Sequence, residues 1–167
     1  KVNVMNNNLD TSLILAIAKQ ESEFYVSAKS RSGALGLVQV MPNTAKITAK
    51  KIGIKFDKNK LLNDPDYNLL IGSQYLSSLI NYYEGSIVLA IAGYNAGPTN
   101  VNKWLKLYGD PREKPINSID WIESIPFTET RNYVQRVVEN YIIYQKVIID
   151  IKINNIKNIN ELLQHGI

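Results

Sequence analysis

The side chains able to move protons in this chain are few, and that narrows its chemistry before any fold is considered. The 167 residues contain no cysteine and one histidine, His165, close to the C-terminus where chains usually fray. Thiolate nucleophiles, disulfides, paired-histidine zinc sites and Ser-His-Asp triads therefore lack their parts. Proton transfer in such a chain falls to a carboxylate, and Glu21 is the leading one. Ile14, Ile17, Ala18 and Glu21 share the i, i+3, i+4, i+7 spacing of one helical face. A carboxyl that prolongs an apolar stripe at a helix C-terminus is desolvated and faces the negative end of the helix dipole. Both effects raise its pKa toward that of a general acid working near neutrality. Periodicity alone leaves open a stripe that ends one turn earlier, with Glu21 in water. Glu23 falls on the opposite side of the same helix and reads as a surface residue.

Three further clusters could serve such an acid. Gly33-Ala34-Leu35-Gly36-Leu37-Val38-Gln39-Val40-Met41-Pro42 lets the backbone approach a ligand, and Gln39 between apolar neighbours needs a hydrogen-bond partner. It is not a phosphate loop, because the lysine and Ser/Thr ending is missing. Tyr94-Asn95-Ala96-Gly97 reads as a turn presenting a phenol and an amide. Glu129 is expected in the first turn of a long helix, where the dipole favours it and where it can pair with Arg131 or a substrate group. Each cluster also has a plain structural reading: a loop with a satisfied glutamine, a tight turn, an acidic helix start.

The elements that would position these groups are helices. Asp10 or Thr11 caps a helix leading to Glu21, and Ser27 to Gly36 is a loop. Pro42 opens a helix that ends before Gly53, and Asp64-Pro65 opens another that ends near Gly85. Ser86 starts a short apolar helix over Ile87 to Ala92, with Gly93 to Pro98 read as a turn because Gly97-Pro98 cannot continue a helix. Val101, Trp104, Leu105 and Tyr108 share a face; residues 109–117 read as a loop. Thr128 caps the longest helix, striped by Val134, Val137, Val138, Tyr141, Gln145 and Ile148. A last helical turn is expected at Glu161 to Gln164. No long alternating strand pattern and no internal repeat is present, so the class is all-α.

Length and composition fit one domain with a real core: 45% of residues are apolar and no stretch is long enough for a membrane span. Lys1 to Asn8 lack the pattern of a secretory signal. The net charge of +4 suits an acidic partner, whether nucleic acid, anionic lipid or an acidic polymer. Nucleic acid fares poorly, because Lys46, Lys50, Lys51, Lys55, Lys58 and Lys60 form one local cluster with only Phe56 interleaved, without the stacking platforms of strand binders.

Gln20-Glu21-Ser22, the Gly33 to Pro42 run, Ala92-Gly93-Tyr94-Asn95-Ala96-Gly97-Pro98 and Ile125-Pro126-Phe127-Thr128-Glu129-Thr130-Arg131-Asn132-Tyr133-Val134 occur in that order. Together they resemble the catalytic domain of soluble lytic transglycosylases, relatives of goose-type lysozyme, over about Leu13 to Tyr144. The resemblance implies a lysozyme-like helical domain with a substrate cleft, residues 1–150 forming the catalytic domain and 151–167 a C-terminal tail. It implies cleavage of the MurNAc-β-1,4-GlcNAc bond of peptidoglycan with formation of a 1,6-anhydroMurNAc end. Glu21 takes the place of the single catalytic acid/base. Ser30, Gln39, Met41, Tyr94, Asn95, Glu129 and Tyr133 match substrate-side positions. Val38 stands where the family usually has Met, and Arg31-Ser32 replaces a Pro-containing pair. No metal or cofactor is implied; the expected partner is the glycan strand, the expected state a monomer and the expected location the periplasm or cell envelope. A lysozyme hydrolysing the same bond and a non-catalytic wall-binding module are the alternatives.

Overall fold

The structure, a computed structural model, describes residues 9–153. Eight helices run through it: α1 (Thr11–Ser22), α2 (Pro42–Lys51), α3 (Lys58–Asn63), α4 (Pro65–Tyr82), α5 (Ile87–Ala96), α6 (Pro98–Tyr108), α7 (Ser118–Ser124) and α8 (Thr128–Ile153). The described residues contain isolated β-bridges but no strand, as an all-α sequence requires. None of their helices is long and apolar enough to cross a membrane. His165 and the turn expected at Glu161 to Gln164 lie outside the described residues.

Helix starts follow local chemistry. Asp10, Asp57, Asp64, Ser86 and Asn117 each accept a hydrogen bond from a first-turn amide, engaging N–H groups that have no partner within the helix. Pro42, Pro65 and Pro98 sit in the first turn, where no amide hydrogen is needed. Two expectations are corrected. The segment from Gly93 to Ala96 is not a turn but the last turn of α5, and the chain bends only at Gly97, whose φ of 79° leads into Pro98. Gly93 packs closely within that turn: a Cβ there would come within 3.1 Å of the Tyr83 ring. Thr128 is the first helical residue of α8 rather than its cap.

α5 is the apolar axle. Leu89, Ala90, Ile91 and Ala92 are wholly buried, and the helix packs against α4, α6 and α8. Each buried leucine or isoleucine of this kind contributes roughly 1.5–3 kcal/mol relative to exposure. α1 lies along α8, so the first and last described helices are neighbours. Between α1 and α2 the chain folds back on itself, with Leu35 bridged to both Lys29 and Val40. Buried Asn68 of α4 pins this loop: its Oδ1 accepts from the Val38 amide at 2.9 Å, and its Nδ2 donates to the carbonyls of Leu35 at 2.9 Å and Leu61 at 2.8 Å. Gly36, with φ 78°, has no alternative here, because a Cβ would collide with the Asn68 amide.

Candidate active site

Glu21 occupies the last turn of α1, on the stripe begun by buried Ile17 and Ala18. Its Oε1 accepts a hydrogen bond from the Tyr133 hydroxyl of α8 at 2.7 Å. Burial pushes the carboxyl up; the Tyr133 bond pulls it part of the way down, and the negative charge of Glu129 adds to the rise. The outcome is a pKa of about 7, against an ordinary value of 4.5. The open reading of the stripe is thus resolved on the buried side. Tyr133 and Tyr94 are held well above the usual phenol range, first by burial and then by the neighbouring Glu21 charge, so both remain O–H donors.

The chain around Glu21 is held in uncommon backbone states. Glu23 (φ 50°) and Phe24 (φ 67°) end α1 in the left-handed region that usually takes glycine, and Gln39 (φ 47°) does the same in the loop opposite. Ser22 ties the two together, donating to the carbonyl of Leu37 at 2.7 Å. Gln39 is anchored by its amide, which donates to the carbonyls of Ala28 at 3.0 Å and Gly36 at 2.6 Å.

Gln39, Met41, Tyr94 and Asn95 line one cavity of about 210 Å³, together with Thr44 and Tyr75. Glu21 is not part of that lining; Tyr94 connects the two, lining the cavity while sensing the Glu21 charge. The Tyr94 hydroxyl donates to the carbonyl of Val38 at 2.8 Å, which fixes the ring against the loop. Asn95 accepts at Oδ1 from buried Thr130 at 2.7 Å, so its amide hydrogens remain available to the cavity.

The structure therefore brings together Glu21, Tyr133 and Tyr94, sets Gln39, Met41 and Asn95 beside them, and places Glu129 near enough to act on Glu21 electrostatically. Ser30 is not in the cavity lining: its hydroxyl lies 2.9 Å from that of Ser32 and accepts from the Ala34 amide at 2.9 Å. Glu129 is exposed in the first turn of α8, and Arg131 turns to the carbonyl of Ile125 at 2.8 Å rather than pairing with it. Tyr75, Asn68 and Thr130 escaped the sequence reading. Tyr75 resembled any apolar member of the α4 stripe, whereas Asn68 in the same stripe carried a signal, since a polar residue on a buried face needs partners. No cluster of three or more metal-ligating side chains occurs among the described residues.

The transglycosylase SLT domain family matches residues 2–117, and the soluble lytic transglycosylase helical domain matches residues 124–148. The soluble lytic murein transglycosylase of Escherichia coli strain K12 is 40% identical over 76% of this chain and 19% of its own length. A putative soluble lytic murein transglycosylase of Haemophilus influenzae is 38% identical over 85% of this chain and 23% of its own. This chain thus spans about a fifth of the length of these relatives. Among solved structures, an inactive Glu-to-Gln mutant of the lytic transglycosylase Slt from Pseudomonas aeruginosa superposes with a TM-score of 0.77 at 43% identity, covering 84% of this chain and 22% of that one. A complex of the 70-kDa soluble lytic transglycosylase with bulgecin A gives a TM-score of 0.80 at 35% identity, over 87% and 23% of the two chains. With more than half of its length matched, and with helices that superpose on those relatives, the chain belongs to the transglycosylase SLT domain family.

Proposed function

We propose that this chain is the catalytic domain of a peptidoglycan lytic transglycosylase, acting on the MurNAc-β-1,4-GlcNAc bond in the periplasm or cell envelope, with Glu21 as its single acid and base. The observation that carries this reading is the Glu21 carboxyl, half-buried against α8 and poised at about 7 beside a cleft lined by polar side chains. Family membership supports it, as does the name of the P. aeruginosa relative, inactive as a Glu-to-Gln mutant.

The chemistry follows from one group used twice. Protonated Glu21 gives its proton to the glycosidic oxygen as the bond to C1 breaks. The carboxylate left behind then takes the proton of the C6 hydroxyl on the same muramoyl sugar, whose oxygen attacks C1 and closes the 1,6-anhydro ring. No water enters, and the intramolecular hydroxyl needs no protein nucleophile because it is already held at the reacting carbon. A pKa near neutrality suits both halves of the cycle. Tyr133 holds the carboxyl in place and stabilises the ionised form between the steps. Gln39, Met41, Tyr94 and Asn95 line the space for the sugars. Ser30 and Glu129 belong to the proposed substrate side through their matching positions.

The test is digestion of purified sacculi with mass spectrometry of the products, run beside Glu21→Gln. Anhydro-ended fragments, one water lighter than reducing-ended ones, are expected from the unaltered protein and none from the variant. Reducing ends alone would make the chain a hydrolase, and unreleased sacculi would leave it a wall-binding module.

A further inference from the structure

Lys46, Lys50, Lys51, Lys55, Lys58 and Lys60 take no part in the chemistry proposed for Glu21, and all six are exposed. Residues 46–60 set these six lysines against one carboxylate, Asp57, a local charge of +5 in a chain whose total is +4. The fold does not neutralise them. The ion pairs among the described residues are made by Arg112 and Arg136 and include none of the six. Asp57 is engaged as a helix cap, its Oδ1 accepting from the amides of Asn59 at 2.9 Å and Lys60 at 3.0 Å. Lys50 and Lys51 face the negative end of α2, but Lys58 is the first residue of α3, where the helix dipole disfavours a cation. Charges of one sign held this close repel one another, and an external anion relieves the repulsion.

Apolar surface accompanies the charge. Ala45, Thr48 and Ala49 form the buried face of α2, and Lys46, Ile47, Lys50 and Lys51 share the opposite arc of about 140°. Ile47 is 59% exposed there, among three ammonium groups. Just past Lys51 a groove of about 330 Å³ opens, lined by Ile54, Tyr67 and Leu70 together with Lys55, Asp57 and Lys60. The Tyr67 hydroxyl accepts from the Asp57 amide and donates to the Lys55 carbonyl, both at 3.1 Å, so the polar end of that ring is already engaged. None of these residues lines the cavity beside Tyr94.

A soluble polyanion would use the lysines and leave Ile47 and the apolar groove in water. A purely apolar partner would have to desolvate the ammonium groups without pairing them. A lipid surface bearing negative headgroups uses both kinds of group at once. Its phosphates attract the lysines, whose stems lie along apolar surface, while an isoleucine tip enters the boundary between headgroups and acyl chains. We propose that the α2–α3 edge docks this domain on a bilayer surface rich in anionic phospholipid. Lys46, Lys50 and Lys55 meet headgroup phosphates, Ile47 enters the headgroup layer, and Ile54 and Leu70 face the acyl boundary. The attachment is peripheral and does not depend on the murein-cleaving reading.

The experiment measures sedimentation of the protein with vesicles of phosphatidylcholine alone and of an equimolar mixture with phosphatidylglycerol. Binding to the mixture is expected to be at least about tenfold tighter, with the advantage shrinking as salt is raised. Lys50→Gln combined with Lys55→Gln should weaken it about 25-fold, at roughly fivefold for each lysine near such a surface. Ile47→Ser should weaken it about fivefold at low and high salt alike, because that contribution is not electrostatic. Fluorescence of Ile47→Trp reads insertion directly: a blue shift is expected with the anionic vesicles and none with soluble polyphosphate. Equal affinity for the two kinds of vesicle overturns the proposal. So does undiminished binding after Ile47→Ser, which would leave adhesion by charge alone. Retention on oligonucleotide or on sacculi, with none on anionic vesicles, gives the patch a different partner and overturns it as well. All these substitutions fall at exposed positions, and product analysis of sacculus digests reads the Glu21 chemistry separately, so the two readings fail independently.

Discussion

The two ends of α1 each carry a carboxylate, and each carboxylate accepts a hydrogen bond from a tyrosine of α8. The Tyr141 hydroxyl reaches Asp10 Oδ2 at 2.9 Å, and the Tyr133 hydroxyl reaches Glu21 Oε1 at 2.7 Å. The consequences are opposite. At Asp10 partial burial pushes the pKa up, but the Ser12 amide, Gln145 and Tyr141 together outweigh it and hold the group below the usual carboxylate range. At Glu21 burial also pushes up, Tyr133 alone pulls down, and Glu129 adds to the push. The same tyrosine bond therefore does not decide protonation. Hydration and the number of donors decide it, which is how one helix holds a charged cap at its start and a protonatable acid at its end.

The largest expected effect comes from breaking the acid end. Glu21→Gln should lower the rate of sacculus cleavage by at least about 100-fold, at the low end for a general acid–base group. Its stability should move the other way. With the folded pKa raised from 4.5 to about 7, wild-type Glu21 binds more proton folded than unfolded across that interval. Wild-type stability from this group is therefore full below the unfolded value and lost as pH rises through about 7, by roughly 2–3 kcal/mol in all. Urea titrations should find Glu21→Gln more stable than wild type at pH 8, with the gap closing toward pH 4.5. A gap that persists unchanged at low pH would remove burial as its cause.

Tyr133→Phe comes next, with about a tenfold fall in rate expected from loss of orientation. It deletes the one donor that lowers the Glu21 pKa, so the basic limb of kcat/KM should move to higher pH. Glu129→Gln sharpens the contrast in the opposite sense: removing the neighbouring negative charge should move that limb to lower pH, and added salt should shrink the difference between variant and wild type. Two limbs moving in the same direction would contradict the assignment of these neighbours. The smallest effect belongs to the cap end. Asp10→Ala should cost about 1 kcal/mol in urea unfolding and leave the cleavage rate at the wild-type level.

What the sequence disclosed, and what it withheld, follows the same division between local and distant causes. Capping and first-turn signals at Asp10, Pro42, Asp64-Pro65 and Ser86 are local, and the helices begin where they stand. α3 and α7 were not anticipated: at six and seven residues they are too short for a periodic stripe and begin at the Asp57 and Asn117 caps. The last turn of α5 was misread because the stop at Gly97-Pro98 was carried back to Gly93, whereas the chain stays helical through Ala96. The stripe named Glu21 as a candidate but left its burial open, because periodicity does not say where along a helix the packing stops. The partner of Glu21 was not legible, since no spacing rule relates positions 21 and 133; the Glu-Thr-Arg-x-Tyr motif flagged Tyr133 only through a family resemblance. Asn68 and Thr130 act through contacts with the loop and with Asn95, which no periodicity encodes.

The bond between Glu21 and Tyr133 spans 112 positions of chain. An acid assembled from residues this far apart is completed only when both are in place: until Tyr133 has been made and α8 has docked along α1, the carboxyl has neither its donor nor its partly desolvated surroundings. A segment that ends before α8 then carries an ordinary glutamate where the folded domain carries a carboxyl raised to about 7.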